Sequence, residues 1–255
     1  MTIFLGAYWK YHALSLGEYI DKLRIFLADV QAAHEAFHEL YNVGSESSDK
    51  IIKLDTGLDN LPNLAKKRAF NRSASKKEYS HWDADGTPSL NAISDLGYNL
   101  SFFNNKKTGC GEADVSVRTG AASEHLNNAI VVKFYDDFYP EARNTDFWIK
   151  LMQITARYWN PDYIRVTNYQ FVDVTETKTD DFEICWLTYF SDPRILQVKD
   201  PRIVLHPMET GAWFQISSAP ASADNPADVA KAIHIRDLLR PMGLLQYRKP
   251  QLVVA

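Results

Sequence analysis

At 255 residues, 45% of them hydrophobic and 13% aromatic, the chain can bury one large core or two modest ones, so disorder is not its default state. Its 28 basic and 32 acidic residues leave a formal charge of −4, which argues against a nucleic-acid binder working through a basic surface. Residues 1–110 hold 13 of each sign, so the acidic excess lies wholly beyond Cys110, in the part better suited to face a basic partner.

The opening MTIFLGAYWKYH has no basic residues before its short apolar run and no small-residue cleavage site, so it does not read as a secretory signal. No stretch approaches the roughly 18 apolar residues of a membrane span. Two cysteines, Cys110 and Cys185, fit a reduced compartment without a disulfide framework. The expectation is a soluble cytoplasmic protein with no membrane contact.

In chain order, Ile3–Trp9 reads as a short strand. Ser15 followed by Glu18 is a capping box, and Ile20, Leu23, Leu27, Val30, His34, Phe37 and Tyr41 recur at spacings of three and four, which predicts a long helix ended by Gly44. A second helix is expected over Leu58–Arg72 with its Lys66-Lys67-Arg68 cluster, then a turn at Asp85-Gly86-Thr87-Pro88. Asn99–Asn104 and Ala113–Arg118 flank Lys107-Thr108-Gly109-Cys110-Gly111 as a hairpin, and Ala129–Tyr135 is a β-branched strand. Asn144 caps a helix over Asp146–Trp159. Tyr163–Val174 reads as a strand, and Thr175–Asp181 as a polar turn.

Glu183–Arg194 reads as the central strand. Ile184, Trp186, Thr188 and Phe190 alternate with Cys185, Leu187 and Tyr189, and neither set is a polar face, so layers must cover both sides. Ser191-Asp192-Pro193 ends it. A hairpin of Pro201–Leu205 with Gly211–Ser217 and a helix over Pro226–Arg240 complete the chain. Ile3–Val30 and Ala129–Ala156 both run strand, aromatic loop, helix, a pattern common enough to arise without duplication. The expected class is α+β: a mixed, largely antiparallel sheet with packed helices over residues 1–255, as one unit or as lobes 1–140 and 141–255.

Two patterns carry chemistry. His34-Glu35-Ala36-Phe37-His38 matches H-E-x-x-H, which on a helix sets two imidazoles on one face with a glutamate to activate a zinc-bound water. Glu39 directly after the second histidine and the lack of a third ligand nearby count against it, and His34 lies on the apolar seam, where packing explains it. Pro161-Asp162 with Glu176-Thr177-Lys178 spells the acid and lysine pattern of restriction-type nucleases, but Glu176–Asp181 reads as an exposed tip. Gly109-Cys110-Gly111 is turn geometry, with no neighbour in sequence to lower the thiol pKa.

The strand entering a long helix, the GCG turn followed by Asn128-Ala129-Ile130-Val131-Val132, the segment Cys185-Trp186-Leu187-Thr188-Tyr189-Phe190-Ser191, and Asn225-Pro226-Ala227-Asp228 through Ala232, Leu238 and Gly243-Leu244-Leu245 together resemble the immunity protein 52 family. Cys185 stands where that family usually has glycine. The resemblance implies a non-enzymatic antidote, without a cofactor or metal, that binds and neutralises a cognate toxin. In this family the toxin is typically a restriction-endonuclease-like nuclease delivered by type VI secretion, blocked at its active site or its assembly surface. A nuclease presents a basic cleft, so exposed acids could mimic phosphate and steer association. The candidate partner-binding residues are Asp136, Asp137 and Tyr139 in one loop and Glu176, Asp180 and Asp181 in another. A zinc hydrolase using His34 and His38 is the alternative.

Overall fold

Among the described residues ten strands form one antiparallel sheet, and the middle of that sheet is made by strands far apart in sequence. The computed structural model describes residues 1–44, 50–70, 82–84, 86, 88–105, 112–123 and 125–247. In chain order the elements are β1 (Thr2–Trp9), α1 (Leu16–Ala33), β2 (Tyr41–Asn42), β3 (Ile52–Lys53), α2 (Leu61–Arg68), β4 (Tyr98–Phe103), β5 (Ala113–Thr119) and β6 (Asn128–Tyr135). They continue as α3 (Thr145–Trp159), β7 (Tyr163–Asn168), α4 (Tyr169–Thr175), β8 (Leu187–Phe190), β9 (His206–Pro207), β10 (Ala212–Gln215) and α5 (Pro226–Leu239). The strand order is β3-β2-β4-β5-β6-β1-β7-β8-β10-β9. An α+β architecture is therefore the observed one, and a single sheet joins residues from both halves of the chain.

Register decides which side chains share a face. Leu5 lies opposite Val132 on one side and Val166 on the other, and Ala7 opposite Ile130 and Ile164. Those residues meet α1 and α3, which pack on each other: Trp9 and Phe26 both touch the Trp159 ring. Phe4, Gly6 and Tyr8 point the other way. Over β7 and β8 that second face is also covered, with α4 and α5 packed together and Phe182 stacked on Tyr163 at 4.5 Å. Over β4 to β6 it carries polar alternates such as Asn99, Ser101, Ser116, Arg118 and Lys133, all exposed or half-buried. One sheet is thus two-sided at one end and amphipathic at the other.

The caps expected at Ser15 and Asn144 both form. Ser15 accepts from the Glu18 N–H while Glu18 reaches back to the Ser15 N–H at 2.8 Å, and Asn144 accepts from the Asp146 N–H at 2.9 Å. The second helix is shorter than expected, starting at Leu61 with Pro62 in its first turn. The hairpin turn at Gly109-Cys110-Gly111 lies outside the described residues.

Four expectations need correction. Helix α1 stops at Ala33 because His34 is extended (φ −158°, ψ 143°), and its Nδ1 accepts from the Ala36 N–H at 3.1 Å, starting a separate 3-10 turn over Glu35–Phe37. Residues 169–175 are helix, not strand: the Asn168 side chain accepts from the Phe171 N–H at 2.9 Å and turns the chain. The Glu183–Arg194 run is an interior strand, not the middle one, and only Leu187–Phe190 is regular. Before it, the Cys185 N–H donates to Thr188 Oγ1 at 3.0 Å, taking that amide out of the ladder. The last hairpin pairs His206–Pro207 rather than residues 201–205 with β10.

Candidate functional site

The two acidic segments are built alike. Each buries one aspartate in an internal ion pair and exposes the next. After β6, the Asp136 carboxylate is 1% exposed; it accepts from Arg143 Nη2 at 2.9 Å and from the Met1 ammonium. Burial alone would push its carboxyl up, but hydrogen bonds from the ammonium and the guanidinium outweigh that and hold it below the usual range. The Asp137 carboxylate is 82% exposed. Tyr139 is half-buried: its ring packs on Phe134 and His34, and its hydroxyl accepts from Asn104 at 2.8 Å.

Beyond α4, the Asp180 carboxylate is 4% exposed and accepts two hydrogen bonds from Arg240, at 2.7 and 3.1 Å. Those bonds hold its pKa down against the opposing effect of burial. Glu176 and Asp181 are exposed, with Asp181 accepting from the Tyr247 N–H at 3.0 Å. The carboxylates exposed to a partner are therefore Asp137, Glu176 and Asp181.

The fold does not bring the two segments together. Tyr135 pairs with Thr2 and Asn168 with Ile3, so the 136–139 loop lies beyond the Asn168 end of β7. The second segment returns to the opposite end, where Phe182 stacks on Tyr163 and the Tyr163 hydroxyl donates to the Glu183 carbonyl. A six-residue strand separates them, about 20 Å. Helix α4 starts at the first end and leads to the second. Its outer side carries Tyr169, 51% exposed, the exposed Asp173, and Val174, 47% exposed; Phe138 in the first loop is 58% exposed. Reading residues 163–174 as one strand hid this surface, although Asn168 as a helix cap was the available signal.

Tyr169 stands on an ordered base. Its ring packs on Phe4 at 4.7 Å and lies 6.0 Å from the Lys133 ammonium. Phe4 and Tyr8 sandwich the Arg165 guanidinium, at 5.6 and 5.2 Å, and Arg165 is ion-paired with Glu183. Gly6 lies between the two rings in sequence because a Cβ there would stand 2.5 Å from the Tyr8 hydroxyl.

The catalytic patterns do not assemble as a helix-borne site. His34 ends α1 and packs edge-on against Phe134, Tyr139 and Phe147, while His38 is exposed beyond the 3-10 turn. Among the described residues, no group of three or more His, Cys, Asp or Glu side chains is placed to hold a metal ion. The Asp162 backbone ties β1 to the end of β8, its N–H donating to the Tyr8 carbonyl and its carbonyl accepting from the Ser191 N–H. Burial pushes the Cys185 thiol up to about 11. That leaves it protonated and inert. No helix among the described residues is long and apolar enough to cross a membrane.

No protein-family model and no curated protein matches the chain. Among solved structures it is similar to the T6SS protein PA0821 of Pseudomonas aeruginosa, with a TM-score of 0.55 and 11% identity over 96% of this chain and 73% of that one. At that identity the likeness is one of fold.

Proposed function

We propose that this protein is a type VI secretion immunity protein of the immunity protein 52 kind, a cytoplasmic non-enzymatic antidote that binds a cognate toxin and blocks its active site or its assembly surface. The observation that carries the reading is the α4 surface: exposed Tyr169 and Val174 beside Asp173, with Asp137 and Phe138 at one end and Glu176 and Asp181 at the other. Aromatic anchors among acids suit a basic partner, and a span of about 20 Å suits a standard interface. The toxin class that fits is a nuclease of restriction-endonuclease-like fold, whose cleft must be basic to hold a polyanion. The similar fold of a T6SS protein lends support to the secretion-system setting.

The test is a binding assay of the purified protein against the toxin encoded beside it, with the metal content of both recorded. A tight complex, weakened by Tyr169→Ala and Asp173→Lys and by added salt, is the expected result. No complex, together with about one zinc per chain bound through His34 and His38, would replace the antidote with a hydrolase.

A further inference from the structure

The far edge of the sheet carries a second surface of different chemistry. β10 runs from Ala212 to Gln215, but β9 pairs with it only at Ala212–Pro207 and Trp213–His206. The hairpin is pinned at Gly211, where φ is +69° and a Cβ would stand 1.8 Å from the Phe190 carbonyl oxygen, so no other residue can slide into that place to extend the pairing. Pairing parity then gives the direction of the next groups. Ile216 donates its N–H to Trp186 on the β8 side. Successive residues of an antiparallel strand alternate sides, so the N–H and C=O of Gln215 point outward, as those of Gly211 do when its carbonyl accepts from Met208.

Where β9 diverges, a cleft of 480 Å³ opens beside Gln215, lined among others by Arg202, Val204, His206, Ser217 and Lys231, with no carboxylate among the described residues that line it. Arg202 is held in place by Asp200, which also takes His234, while Lys231 has no ion pair among the described residues. Val204 is 66% exposed, the most exposed large apolar residue of the described chain. The two-residue β9 blunts this edge only over Ala212 and Trp213, which leaves the outward groups of Gln215 beside a cleft that holds Lys231 and exposed Val204.

We infer that this cleft takes an extended, acidic segment of a partner protein, which adds to the sheet by pairing with Gln215 and sets its carboxylates toward Lys231 and Arg202. The partner of the α4 surface is basic and this segment is acidic, so the inference stands or falls apart from the antidote reading.

The probe is a fluorescein-labelled peptide alternating valine with glutamate, followed by fluorescence anisotropy on the full chain. Binding should fall as salt rises, fall about tenfold in Lys231→Glu, and be lost in Gln215→Pro while Gln215→Ala retains it, since only proline removes the outward N–H. If Gln215→Pro fails to fold, amide exchange on the unaltered protein decides: protection of the Gln215 N–H on peptide addition supports strand pairing, and its absence overturns it. Equal binding of a valine–lysine peptide, or no binding of the acidic one, also overturns the assignment. So does sedimentation showing a dimer that Lys231→Glu leaves intact and Gln215→Pro dissociates, which would give the edge to a second copy.

Discussion

Asp136 and Asp180 share a motif but differ in what they anchor. The Asp136 partner Arg143 lies seven residues on, in the 3-10 turn that leads into α3, and its second partner is the Met1 ammonium at the start of β1, so that site ties a loop to the chain's first strand. The Asp180 partner Arg240 lies sixty residues on, just after α5, so that pair fastens a turn to the last helix. In both, the inner acid fixes the backbone from which the outer acid projects. A row of acidic residues in a sequence thus overstates the charge offered to a partner: half of it can be internal structure.

That contrast can be broken by removing the inner acids. Asp136→Ala should have the largest effect, a loss of about 1–2 kcal/mol in urea unfolding, because it removes a buried carboxylate that accepts charged hydrogen bonds. Asp180→Ala should destabilise less and release the turn from α5, seen as faster amide exchange at Phe182, whose N–H donates to the Leu245 carbonyl.

Acid sharpens the same comparison. Both inner carboxyls are held lower in the folded chain than in the unfolded one, so the folded state binds fewer protons as pH falls. Their contribution is complete above the ordinary carboxyl value of about 4 and drains away below it. Stability measured from pH 5 down to pH 2.5 should therefore fall less steeply in Asp136→Asn or Asp180→Asn than in the unaltered protein. The smallest effect on stability is expected from the outer acids. Asp137→Lys with Asp181→Lys should move the unfolding midpoint less than either inner substitution yet slow association with the proposed toxin partner at low salt, a change read by stopped-flow.

Much of the frame was legible from local pattern. β4, β5, β6, α3 and α5 fall within a residue or two of expectation, because alternation, β-branching and Asn or Ser caps act over short range. The errors come where a side chain diverts the backbone. His34 interrupts an apolar seam that continues without the helix, since Phe37 and Leu40 are buried all the same. Asn168 turns a β-rich string, Tyr-Gln-Phe-Val-Asp-Val-Thr, into a helix, at whose end the buried Thr175 hydroxyl is satisfied by donating to the Phe171 carbonyl. The candidate site suffered most, since which of two adjacent aspartates is buried depends on Arg143 and Arg240. Neither arginine can be matched to its acid by spacing alone.

The His206 ring lies flat on Trp213, 4.1 Å between centroids and 12° between planes, at the last paired position of β10. An imidazole stacked on an indole can accept an electron from its excited state, so Trp213 should emit more weakly than the core tryptophans Trp9, Trp148, Trp159 and Trp186. Prying β9 away, or seating anything beside it, would separate the rings and brighten the protein. The edge of the sheet therefore contains its own optical gauge, readable without a label and removable by Trp213→Phe.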